Sequence, residues 1–230
     1  GGIMFSAQFE QTGSLTRVNG FIRSVYNWMT IGLALTGVVA FYVSQTMIIP
    51  PAIFFGLIIA ELGLVFYLAS RIQKIKASTA TALFVAYAAL NGVTLSSLFQ
   101  YYTHSSIVST FFICAGTFGA CSIYGMMTKR DLTSLGGFMT MGLFGIIIAS
   151  VVNMFVQSSG MGLIISYVGV LVFVGLTAYD TQKLKEMAMS QPEGLSNSVV
   201  RKGAIIGALT LYLDFINLFI MLLRIMGDRD

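Results

Sequence analysis

Ala77–Thr128 reads ASTATALFVAYAALNGVTLSSLFQYYTHSSIVSTFFICAGTFGACSIYGMMT, 52 consecutive residues without Lys, Arg, Asp or Glu. A helix needs about 20 apolar residues to cross the hydrocarbon core, so this block holds two crossings, separated by the polar run Thr103-His104-Ser105-Ser106. Two more charge-free blocks flank it, Ser24–Ala60 with 37 residues and Leu132–Tyr179 with 48. Across all 230 residues the chain is 56% hydrophobic and 10% charged, with a mean hydropathy of +0.84. That composition excludes an extramembrane catalytic domain and points to an all-α membrane protein.

Working outward, apolar segments predict seven transmembrane helices at 24–43, 51–70, 79–101, 106–127, 133–156, 161–187 and 203–226. Pro50 and Pro51 open the second, Gln157-Ser158-Ser159-Gly160 separates the fifth from the sixth, and Pro192–Asn197 supplies the last turn. The expected organisation is a cytoplasmic N-terminal segment at 1–23, one seven-helix domain at 24–226 and a short tail at 227–230. Gly1, Gly2 and Ile3 before Met4 read as an expression leftover, and 1–23 lacks the apolar core of a signal peptide. The two long charge-free hairpins are too generic to imply an inverted-repeat transporter.

Positive residues are retained on the cytoplasmic side of a membrane, and here they alternate from loop to loop. Arg17, Arg23, Arg71, Lys74, Lys76, Lys129, Arg130, Lys183, Lys185, Arg201 and Lys202, 11 of the 13 Lys and Arg, fall on one side. Only Arg224 and Arg229 fall at the C-terminal end. The N-terminus is therefore expected in the cytoplasm and the C-terminus outside, unless the last helix is re-entrant and returns the tail. The sequence pI near 9.1 reflects these membrane-flanking clusters and implies no nucleic-acid partner. Cys114 and Cys121, seven apart on one helix, cannot bridge each other, and two cysteines with one histidine make no zinc or haem site. His104 is read as a solvated loop residue; Asn91 and Asn153 as helix-to-helix hydrogen-bonders or crevice lining.

Glu61, Asp180 and Asp214 lie inside predicted crossings, where an ionisable side chain is costly enough to mark a functional candidate. If the last two helices are antiparallel about the Pro192–Asn197 turn, Asp180 and Asp214 have their midpoint at Asn197 and face each other at similar depth. In the last helix Gly203, Gly207, Thr210, Asp214, Asn217, Met221 and Arg224 recur at steps of four and three, forming one small and polar face. The sixth helix offers Gly162, Ser166, Gly169, Thr177 and Asp180, interrupted by Phe173. Two carboxylates in low dielectric cannot both stay ionised cheaply. They share a proton or hold a cation, and calcium fits if Thr177, Thr210 or Asn217 adds oxygens. A purely structural clip between helices is the alternative. For Glu61, structural pairing and a role in an ion path stand side by side; Arg71 reads as a snorkelling end residue.

Val174-Gly175-Leu176-Thr177-Ala178-Tyr179-Asp180-Thr181-Gln182 and Gly207-Ala208-Leu209-Thr210-Leu211-Tyr212-Leu213-Asp214-Phe215-Ile216-Asn217, with Thr128-Lys129-Arg130-Asp131-Leu132, resemble the transmembrane Bax inhibitor motif family, most closely its bacterial inner-membrane branch. The resemblance runs from about Val18 to Arg224. It implies a seven-helix fold with the C-terminal helix central and wrapped by the other six. It also implies a pH-sensitive calcium leak in which Asp180 and Asp214 act as proton sensor and latch, with Glu61 and Arg71 matching an acid and a following arginine on the conduction path. The stretch between the two aspartates is longer here than in some bacterial relatives.

Three functions are weighed on these residues. The leading one is a pH-sensitive calcium-permeable leak with no covalent cofactor, calcium and protons being the ions handled and the lipid bilayer the partner. The second is a membrane interaction protein that modulates another membrane complex, such as a quality-control protease, through residues 4–23 and 188–202. The third, an intramembrane aspartyl hydrolase, is disfavoured: Leu211-Tyr212-Leu213 precedes Asp214 where those proteases carry glycines, and no Pro-Ala-Leu follows. The reading is therefore not an enzyme. Nor is it a retinal protein, because the seventh predicted crossing has no lysine.

Overall fold

A computed structural model describes residues 2–229. Gly1 of the expected leftover and Asp230 of the expected tail lie outside the described residues. The chain forms α1 (Gly2–Thr46), α2 (Pro51–Arg71), α3 (Ala77–Leu95), α4 (Leu98–Tyr101), α5 (His104–Met127), α6 (Thr133–Val156), α7 (Ser159–Met189) and α8 (Asn197–Met226). Seven spans are long and apolar enough to cross a membrane, with α3 and the single turn α4 together forming one of them, Ala77–Tyr101. Among the described residues the only β-type pairing is an isolated bridge between Tyr102 and Arg229.

Helix ends differ from the sequence expectation where polar residues continue a helix past the apolar core. The 45 residues of α1 make a rod of about 67 Å at 1.5 Å per residue, more than twice a hydrocarbon core of about 30 Å. The expected N-terminal segment is thus largely helical. Likewise α8 starts at Asn197 rather than 203, because the Ser196 side chain accepts from the Val199 N–H and caps a further turn and a half that carries Asn197, Ser198, Arg201 and Lys202. Apolarity locates the bilayer, whereas capping locates the helix end. In the opposite direction, the helix expected over 79–101 breaks after Leu95. There the Ser96 and Ser97 hydroxyls donate to the carbonyls of Val93 and Thr94, competing with the backbone ladder. His104 is the first residue of α5, edge-on to the rings of Phe41 and Phe99, rather than a loop residue.

The C-terminal helix is central. It packs against α1, α3, α5 and α7, and 72% of its membrane window is buried, compared with 11% for α2 and for α6. The latter two lean on α3 and α7 and leave the remainder of their apolar surface to lipid. Small residues permit these approaches. A Cβ on Gly207 would meet Leu184 and Val25, and one on Gly169 would meet Met221, so α8 lies close to α7 along its length.

Polar contacts identify the two ends of the bundle. At one, Lys202 Nζ reaches the carbonyls of Gln73 (3.4 Å) and Ile75 (3.3 Å), Arg17 pairs with Glu193 at 2.9 Å, and Gln182 joins the Leu132 N–H (2.9 Å) to the Arg130 carbonyl (2.8 Å). Lys185 donates to the Met126 carbonyl at 2.7 Å. At the other, the Thr103 N–H donates to the Asp228 carbonyl (3.1 Å) and the Asp228 N–H to Ser106 Oγ (2.9 Å). α8 therefore runs from one end of the bundle to the other.

Candidate functional site

Asp180 and Asp214 meet between α7 and α8, their carboxyls within side-chain hydrogen-bond reach of each other. The antiparallel pairing about residues 190–196 brings them to one depth. Asp214 is buried at 5% exposure and Asp180 is half-buried. Among the described residues no N–H or hydroxyl reaches Asp214 Oδ2, although solvent cannot reach that atom either. An acceptor in this position calls for a donor or a cation: a proton on the pair, a bound cation or a buried water. Lys183, one turn from Asp180 on α7, is the cation nearest that carboxyl along the helix, and it lies over the Tyr179 ring.

Packing around Asp180 leaves little freedom. On α5, a Cβ at Gly125 would strike the Ala178 backbone carbonyl; on α6, a Cβ at Gly136 would strike the Tyr179 ring. Both helices are thus in close contact with the segment that carries Asp180.

The other candidate oxygens do not gather round the pair as closed ligands. Thr177 donates to the Phe173 carbonyl (2.7 Å), Thr210 to Ile206 (3.0 Å) and the Asn217 amide to Leu213 (2.8 Å), each on its own helix. Their oxygens keep lone pairs, and Asn217 lines the foot of a crevice of about 690 Å³ at the Arg224 end of the bundle. Asn217 is three residues beyond Asp214, about 4.5 Å along the axis. Polar lining therefore comes within a turn of the buried pair from one side. No group of three His, Cys, Asp or Glu able to hold a metal occurs among the described residues.

Glu61 is elsewhere. Buried on α2, it accepts a short hydrogen bond from the Thr94 hydroxyl of α3. Tyr87 and Tyr212 lie close to it. Arg71, at the end of α2, is exposed and has no ion pair or side-chain hydrogen bond among the described residues. The structure thus joins Asp180 to Asp214 and leaves Glu61 and Arg71 apart from them.

A hydrogen-bonded chain lies beside Glu61; in it Asn91 bonds from helix to helix as read from the sequence, whereas Tyr212 and Thr36 were not singled out there. The Asn91 amide donates to the Tyr212 hydroxyl (2.8 Å), Tyr212 Oη and Thr36 Oγ1 are 2.6 Å apart, and Thr36 donates to the Ala88 carbonyl (2.8 Å). Tyr212 is fully buried, its ring edge-on to Phe84 and Tyr87. The available signal was a tyrosine two residues before an intramembrane aspartate, with Thr36 and Asn91 in apolar helices; each is ordinary alone. Outside the membrane, Asp131 accepts from both the N–H and the hydroxyl of Thr133, which holds its carboxyl below the ordinary value.

Residues 18–230 match the family described as inhibitor of apoptosis-promoting Bax1. The chain belongs to that family. Among similar proteins is inner membrane protein YbhL of Escherichia coli strain K12, 52% identical over 215 residues that make up 91% of this chain and 92% of the relative. A Borreliella burgdorferi protein is 47% identical over 218 residues (92% and 93%), and one from Deinococcus radiodurans 43% over 223 (96% and 95%). Membership covers the Asp180 and Asp214 segments together, and with seven membrane-length helices it makes this Bax inhibitor family chain an integral membrane protein.

Proposed function

We propose that the protein is a pH-sensitive calcium-permeable leak of a bacterial inner membrane, gated by the Asp180/Asp214 pair. The observation that carries this reading is Asp214 Oδ2, buried beside a second carboxyl with no donor, one turn below a polar crevice. With a shared proton the carboxyls form a hydrogen bond that holds α7 to α8. Without it, two unit negative charges in contact repel by about 4 kcal/mol at an effective dielectric near 20, comparable to the effect of losing a large core side chain. A divalent cation relieves that repulsion.

Calcium takes about 6–8 oxygens, and two carboxylates with Thr177, Thr210 and Asn217 oxygens nearby fall short of a resident cage. Such a set suits an ion in transit. Glu61, closed by Thr94, and Arg71, exposed at a helix end, are assigned to a path that only a different helix arrangement would join to the pair. The end carrying 11 of 13 basic residues is assigned to the cytoplasm and the C-terminus to the outside. No enzymatic step is proposed.

Calcium influx into proteoliposomes, followed between about pH 5 and 8 where proton-linked switches operate, tests the reading. Wild type should show pH-dependent flux, and folded Asp180→Asn and Asp214→Asn variants a changed pH response. Equal leakage from empty and loaded vesicles at every pH would sink it. One observation favours a membrane interaction protein as second reading: α1 runs well beyond membrane length, and Arg17 on it pairs with Glu193, so this part of α1 and the turn before α8 share one surface. Retention of a partner complex that is lost with Arg17→Glu, in a protein without flux, would select it.

A further inference from the structure

We propose that the crevice at the Arg224 end of the bundle is a binding site for a phosphate-bearing anion, either a phospholipid headgroup or free phosphate. The site is independent of whether ions pass the aspartate pair. Of 13 Lys and Arg, only Arg224 and Arg229 lie at this end, and both line the same crevice of about 690 Å³. Membrane proteins disfavour positive charge on one side of the bilayer, so two arginines converging there call for a counter-charge. Among the described residues no carboxylate lines the crevice and neither arginine has an ion pair. Asp228 lies between them in sequence, but its backbone is tied to Thr103 and Ser106 of the α5 start, and it does not line the crevice.

The remaining lining suits an anion. Ser158 caps α7 by accepting from the Met161 N–H, so the positive end of the α7 dipole opens into the same space. Asn153 accepts from the Ser158 N–H through Oδ1, which leaves its amide N–H groups for a ligand. Arg229 is held against the Tyr102 ring at 6.0 Å, fixing where its guanidinium sits. Between Asn153 and Ser158 stands Gln157 at φ 54°, the one non-glycine residue with positive φ among those described, a strained backbone in the wall of the crevice. Exposed Met154 and Leu163 continue the lining toward the lipid-facing side, where an acyl chain would follow a headgroup. Planar arginines and a helix N-terminus together recognise phosphate oxygens.

The test uses the full chain purified in a non-ionic detergent, titrated with dioctanoyl phosphatidylglycerol, dioctanoyl phosphatidylcholine and inorganic phosphate, with binding read by native mass spectrometry and ligand-induced thermal shift. Wild type should prefer phosphatidylglycerol or inorganic phosphate to phosphatidylcholine, and the Arg224→Gln/Arg229→Gln double variant should bind at least about tenfold more weakly. Asn153→Asp places a carboxylate in the crevice while keeping the acceptor for Ser158, and should weaken binding similarly even if the arginine variants fold poorly. Arginine-dependent binding of phosphate alone identifies a free anion as the ligand; binding of phosphatidylglycerol without phosphate identifies the headgroup. Equal binding of the two lipids with no anion preference, or affinities untouched by both the double variant and Asn153→Asp, would overturn the proposal.

Discussion

Tyr212 and Asp214 stand two residues apart on α8, about 200° round its axis, and head two buried polar clusters of opposite character. Around Tyr212 the hydrogen bonds form a directed chain from Asn91 through Tyr212 and Thr36 to the Ala88 carbonyl, with each hydroxyl proton directed to an acceptor. Beside Asp214 lies a second carboxyl, and Oδ2 has no donor among the described residues. A closed cluster fixes how α1, α3 and α8 pack. An open one depends on a proton or cation that solution can supply or remove. Polarity inside a membrane therefore does not itself mark function; an unfilled hydrogen-bond valence is the stronger sign.

Substitutions in and around the two clusters separate their roles. Gly125→Ala should cost most, about 3 kcal/mol, because its new methyl meets the Ala178 backbone, which cannot rotate aside. Thermal unfolding in detergent measures this, and a near-neutral result would show that the open cluster tolerates movement of α7. Tyr212→Phe should cost about 1–2 kcal/mol in the same assay by leaving the buried Asn91 amide without its acceptor. It should leave the pH response of any flux unchanged. A shifted response would mean that the two clusters work as one.

Asp214→Asn should change stability by less than about 1 kcal/mol, since an amide N–H can take the place of the shared proton toward Asp180. A loss above that at pH 7 would mean the pair is held by something other than a proton. The smallest effect belongs to Asp131→Asn on the loop before α6. Thr133 depresses the Asp131 carboxyl below 3.8, so its contribution is full above that value and fades as pH falls through the depressed one. A slight drop in the unfolding midpoint at neutral pH, absent in strong acid, is expected; a drop that persists in acid would refute the charge-based account.

Much of this was legible in the chain. Pro50, Pro51 and the Thr103–Ser106 run mark true helix boundaries because cap and ring chemistry are local. The midpoint relation between Asp180 and Asp214 follows from antiparallel geometry and needs no side-chain detail. By contrast, the extension of α1 and the early start of α8 were hidden because hydropathy reports the bilayer, and polar helix outside it looks like loop. The break after Leu95 was hidden because Ser96 and Ser97 bend a helix through hydroxyls that elsewhere sit harmlessly within one.

The seven spans, the basic and sparse ends and the depth shared by two acids could be read before any fold was known, since apolar length, charge distribution and residue count along a helix are properties of the chain alone. Helix packing was needed to see that Glu61 is closed by Thr94 while Asp214 is left open, that α8 runs from one end of the bundle to the other, and that Arg224 and Arg229 converge on one crevice. Whether a buried polar atom is satisfied depends on what a neighbouring helix presents to it, and that neighbour is often a hundred residues away.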